Sequence, residues 1–120
     1  MHWIEERISE YRDFLSYVLL YAPDEFPQED YFEPKDQLNL DKAFDELRRA
    51  FPMIKKRVKE QETLSMLREL LEISYEGYKS GDHQKGAYAL QEYEGIIWTK
   101  YKVKSQYEKE AHQRAQANSA

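Results

Sequence analysis

Three prolines, Pro23, Pro27 and Pro34, fall inside the sixteen-residue stretch APDEFPQEDYFEPKDQ that runs from Ala22 to Gln37. Each ring removes a backbone N–H donor and pushes the residue before it out of the α region, so this stretch cannot be a helix. On both sides of it apolar residues recur at three- and four-residue spacing, the signature of amphipathic helices. The chain is thus held to helices parted by one long connector. Nothing in it alternates as a strand would.

Before the connector, Ile4, Ile8, Tyr11, Leu15, Val18 and Ala22 form one helical stripe, widened on a flank by Trp3, Phe14 and Tyr21. Tyr17 and Leu20 point away from the stripe, so the C-terminal end of this first helix is apolar nearly all round. After the connector, Asn39 or Asp41 can cap a second helix with the stripe Leu40, Phe44, Leu47, Phe51, Ile54 and Val58. Pro52 lies inside that pattern and removes the bond to the Arg48 carbonyl, which predicts a kink or a break. The phase is then lost across KEQET, and a third helix is expected from about Thr63 to Ser80 on Leu64, Leu67, Leu71, Ser74/Tyr75 and Tyr78. Gly81 can supply a left-handed stop and Asp82 the N-cap of a fourth helix. That helix carries Gly86, Leu90, Tyr93, Ile97 and Tyr101 on one face. The expected fold is all-α: a four-helix bundle, or five helices if Pro52 breaks the chain, with a long acidic loop after helix 1. Residues 1–108 would make a single domain and 109–120 a frayed or solvated tail.

Composition narrows the function classes. Without cysteine, neither disulfides nor thiolate metal sites can form, which fits a reducing compartment. The opening MHWIEERISE carries acids where a secretory leader carries bases, and the longest apolar run, FLSYVLLYA, is too short to span a bilayer. A soluble, cytoplasmic protein is expected. Residues 1–36 carry a net charge of −7 and residues 37–120 a net of +2, giving −5 in all. An acidic third repels phosphate and attracts a basic partner, so neither nucleic acid nor membrane is expected as the ligand. The basic segments KKRVK (Lys55 to Lys59) and KYKVK (Lys100 to Lys104) read as solvated helix faces with their apolar members turned inward.

Catalytic constellations are missing. The histidines, His2, His83 and His112, lie in three different segments, with no H-E-x-x-H or E-x-x-H spacing. Glu108 and His112 are i, i+4 neighbours, a pattern that usually marks a surface pair. Only Glu94 sits beside an apolar face, and one carboxylate does not make a di-metal site. There is no G-x-S-x-G motif and no phosphate-binding glycine loop. No enzyme activity, cofactor or metal is expected.

The helical hairpin LEISYEGYKSGDHQKGAYALQEYEGII (Leu71 to Ile97) resembles one tetratricopeptide-type helix pair: a helix ending in Tyr, a Gly-Asp turn, then a small residue, Gly86, four positions past the Asp. That resemblance implies an adaptor holding a peptide in a groove lined by Tyr75, Tyr78, Tyr88 and Tyr93. In size, charge and layout the whole chain resembles the small, acidic, all-helical immunity proteins that bacteria make against their own secreted toxins. This second resemblance implies tight binding to a cognate toxin domain, often by covering its active site.

The connector itself reads as a docking surface. Its carboxylates, Asp24, Glu25, Glu29, Asp30, Glu33 and Asp36, would steer a basic protein; Phe26, Tyr31 and Phe32 would be the buried anchors; the prolines would limit the ordering cost. The competing reading folds the rings back as a cap on the helices, and Phe26 suits that role best. The apolar second face of helix 1 could also serve a homodimer.

Overall fold

A computed structural model of the chain describes residues 3–99, and every regular element among them is helical. Five α-helices follow in order: α1 (Ile8–Tyr21), α2 (Leu40–Arg49), α3 (Phe51–Ile54), α4 (Gln61–Lys79) and α5 (His83–Trp98). A 3-10 turn, Pro34–Asp36, interrupts the connector between α1 and α2. Among the described residues no helix is long and apolar enough to cross a membrane. His2, Tyr101, the KYKVK segment, the Glu108–His112 pair and the expected tail 109–120 lie outside the described residues.

The helix ends follow local chemistry. The Asn39 side chain accepts the Lys42 N–H at 2.9 Å, and the Asp82 side chain accepts the Lys85 N–H at 3.1 Å. Each fills one of the donors a helix start leaves open. Gly81 stops α4 with φ of 89°, a conformation a Cβ would strain. Pro52 breaks rather than kinks: α2 ends at Arg49, and Pro52 falls in the first turn of α3, where a missing N–H costs no hydrogen bond.

The second stripe stays helical only to Ile54 rather than to Val58, and the start of the first helix differs from the sequence expectation as well. The first helix starts at Ile8, and Trp3–Arg7 form a strap outside it. The Glu10 carboxylate accepts the N–H groups of Arg7 (2.8 Å) and Glu6 (3.2 Å), closing the helix start there. The strap is then tied to α2: Ile4 N–H donates to the Glu46 carboxylate at 2.8 Å, and the Arg49 guanidinium donates to the Ile4 carbonyl at 2.5 Å. Ile4 still reaches the core and is fully buried. Periodicity placed its side chain correctly but not its backbone.

The buried apolar residues form one continuous core. The whole expected stripe of the second helix (Leu40, Phe44, Leu47, Phe51, Ile54, Val58) is buried, and the break at Pro52 keeps it in phase. Tyr11 of α1 and Tyr93 of α5 meet at the centre, hydroxyl to hydroxyl at 2.6 Å, and Tyr11 donates to the Leu47 carbonyl at 2.9 Å. Burial pushes both phenols upward, so this junction of α1, α2 and α5 stays neutral. The closest approach is between α4 and α5. A Cβ on Gly77 would lie 2.7 Å from the Gly86 backbone nitrogen, and a Cβ on Gly86 would lie 2.7 Å from the Tyr78 ring. Ser74 Oγ donates to the Gly86 carbonyl at 2.6 Å across the same crossing. Two glycines and a serine let the helices touch backbone to backbone.

Candidate functional site

The end of α1 presents Phe14, Tyr17 and Tyr21 at three- and four-residue spacing, and the strap and connector lay further rings against them. Trp3 lies 5.8 Å from Phe14, 6.0 Å from Tyr17 and 6.1 Å, edge-on, from Phe32. Tyr17 meets Tyr21 at 4.8 Å and Phe26 at 6.2 Å, and Tyr31 meets Phe32 at 4.7 Å. Offset and edge contacts of this kind add about 0.5–1.5 kcal/mol each beyond area burial. The result is a seam of rings running from the strap, along α1, into the connector.

Depth along the seam separates the three connector rings. Phe26 is buried in the core, Phe32 is half-buried against Trp3, and Tyr31 is 78% exposed. Leu20, whose position on the helix turns it off the core stripe, is also exposed. Burial, followed by the neighbouring Tyr21, Glu29 and Tyr31, pushes the Tyr17 phenol upward, so Tyr17 stays neutral at the foot of the acidic face.

Gln37 gives the connector its shape. Its side-chain oxygen accepts the Glu29 N–H at 2.9 Å, while its amide donates to the carbonyls of Glu29 (2.8 Å) and Phe32 (3.0 Å). These bonds, with the buried Phe26, close the chain between Glu29 and Gln37 into a fixed loop. Asp24, Glu25, Asp30, Glu33 and Asp36 project from it exposed, and Glu29 is half-buried. Among the described residues none of the six forms an ion pair with a lysine or arginine. The chain spends its arginine pairs elsewhere, Arg48 on Asp45 and Glu72, and Arg49 on Glu46.

Behind the connector lies a groove of about 600 Å³ walled by Trp3, Phe32 and Leu38. Its charges alternate, with Lys35, Lys42 and Arg49 facing Asp36, Asp45 and Glu46. Its field therefore has no single sign, unlike the outer face of the loop. Among the described residues the buried carboxylate is Glu46, while Glu94 is half-buried on α5. Burial pushes the Glu46 carboxyl up, but the Arg49 guanidinium and the Ile4 N–H outweigh it and bring it down to about 2. Glu46 thus holds the strap as an anion at neutral pH. Among the described residues no three His, Asp or Glu side chains gather as a metal site would require.

The four tyrosines of the hairpin do not line one groove. Tyr78 and Tyr93 are in the core. Tyr75 donates to Asp41 at 2.5 Å with the Arg48 guanidinium 4.7 Å over its ring, and Tyr88 is exposed on α5. Sequence reasoning missed two parts of the connector site. Trp3 was hidden by an assumed helix, although Glu10, three residues past Arg7, is a legible capping signal. Gln37 carried no signal, since an amide gives no hint of which carbonyls it will meet. No protein-family model matches the chain, and neither the curated proteins nor the solved structures compared with it give a match.

Proposed function

We propose that the protein is a non-catalytic, stoichiometric inhibitor: a helical bundle that displays the acidic connector to a basic protein. The partner reading that fits best is a bacterial toxin domain, neutralised as immunity proteins neutralise theirs. One observation carries it. Six carboxylates on a loop fixed by Gln37 and Phe26 have no internal cation among the described residues, and Tyr31 stands exposed in their midst. A set of like charges held together unpaired costs self-repulsion that a cationic partner relieves. The fixed loop lowers the ordering cost of docking, and the exposed ring supplies an anchor.

The test is affinity capture from the source cytoplasm at low and high salt, with the captured proteins identified by mass spectrometry. A basic protein should be held at low salt, weakened at high salt, and lost to Asp30→Lys combined with Glu33→Lys. Binding and salt dependence unchanged by that double reversal would remove the connector as the site. A captured toxin should lose its activity when mixed at equal stoichiometry with the wild-type chain; a toxin left active would overturn the inhibitor reading.

A further inference from the structure

A second charged surface, opposite in sign, lies at the other end of α2. Phe51, Pro52 and Leu71 floor a groove of about 420 Å³ between α3 and α4, and Arg48, Lys55, Arg68 and Glu72 rim it. The one acid on that rim is already neutralised: Arg48 grips Glu72 through Nε at 2.7 Å and Nη2 at 3.1 Å. Arg68 holds its guanidinium 4.9 Å over the Phe51 ring, and neither Arg68 nor Lys55 meets a carboxylate among the described residues. Lys56, Arg57 and Lys59, which follow α3 in the chain, are exposed. An apolar lining beside two cations that no carboxylate pairs among the described residues suits an aromatic side chain flanked by acids.

The chain carries such a segment itself. Tyr31 is the most exposed of the large apolar side chains described, and Asp30 and Glu33 beside it form no ion pair among the described residues. We infer that the α3–α4 groove receives the connector of a second copy of this chain, with Tyr31 against the exposed Pro52 ring and the flanking carboxylates on Lys55 and Arg68. The contact joins two copies rather than folding back on one. The connector is pinned at its own end of α2, and the ten residues of α2 place about 15 Å between it and the groove. Two different patches meet, so copies either pair reciprocally across a twofold axis or add head to tail. The net charge of −5 does not forbid this, because at physiological salt charges are screened beyond about 8 Å and the local match decides. The association would cover the acidic loop until a tighter basic partner displaces it.

The proposal shares the connector with the inhibitor reading, but its test needs no partner. Sedimentation velocity of the whole chain, run over a range of concentrations, should show a sedimentation coefficient that rises with concentration at low salt. It should return to the monomer value at about 1 M salt, where the screening length falls to about 3 Å. Lys55→Glu with Arg68→Glu, and separately Asp30→Lys with Glu33→Lys, should each sediment as monomer while keeping the helical circular dichroism of the wild type. Mixing the two variants should restore association, since each groove again meets a connector of opposite sign. Tyr31→Ala should weaken wild-type association about tenfold. A wild-type chain that stays monomeric at every concentration overturns the proposal, as does a mixture that stays monomeric. Association that survives the groove reversal also overturns it. A monomeric wild type whose groove instead binds an acidic, tyrosine-containing peptide would assign the groove to another protein. The groove variant leaves the connector intact, so it also shows separately whether a basic partner still binds there.

Discussion

The α4–α5 hairpin and the α1–α2 connector are built on opposite terms. In the hairpin every special residue is satisfied from within: Gly77 and Gly86 touch, Ser74 bonds the Gly86 carbonyl, and Gly81 and Asp82 make the turn. In the connector the backbone is satisfied by Gln37 and the inner ring by the core, while Tyr31 stays exposed beside Phe32 and the acids form no ion pair among the described residues. Stability and display are thus divided between two parts of one small chain. Internal contacts hold the hairpin, and the exposed groups of the connector are those the proposed function would use.

The comparison breaks most readily at the hairpin. Gly77→Ala gains about 1 kcal/mol of helix propensity. It also drives a methyl into the Gly86 backbone, which cannot move aside as a side chain can. A net loss of about 2 kcal/mol in urea unfolding is expected. A neutral result would mean that the close crossing is not where the fold is held.

A smaller effect is expected at the strap. Glu46→Gln replaces the buried anion that binds Arg49 and the Ile4 N–H, and should cost about 1.5 kcal/mol at neutral pH. The sign with pH follows from the lowered carboxyl. A carboxyl at about 2 in the fold, against 4.5 ordinarily, stabilises the fold fully above pH 4.5. That contribution is lost as the pH falls toward 2. The gap between wild type and Glu46→Gln should therefore be flat above pH 4.5 and close on acidification. A gap that widened in acid would contradict the ion-pair origin of the strap.

The smallest effect is expected where display is greatest. Asp30→Lys with Glu33→Lys should change unfolding free energy by no more than about 0.5 kcal/mol, because both side chains are exposed and neither forms an ion pair among the described residues. A large destabilisation would show that these acids serve the fold and would erase the contrast between the two regions.

Much of the fold was legible because its signals are local. The apolar spacing marked the faces of α2, α4 and α5, while Asn39, Gly81 and Asp82 punctuated them within a turn of where they act. The ten-residue α2 and the break at Pro52 follow from one ring lacking one hydrogen. The candidate site was half legible. Charge and proline content marked the connector, and the outward position of Leu20 could be read from helical phase.

Tertiary structure alone decided the rest. It sent Phe26 inward and Tyr31 outward, though both are connector rings. Glu46 was chosen over Glu94 as the buried acid because the strap returns to α2 from 42 positions earlier. The Tyr11–Tyr93 bond spans 82 positions, and no pattern within a helical turn can record such a pairing. Sequence determined which backbone stretches coil and which sides of them are oily, since those depend on neighbours three or four residues away. Which polar groups are satisfied and which stay exposed depends on chain segments that meet only when the protein is folded.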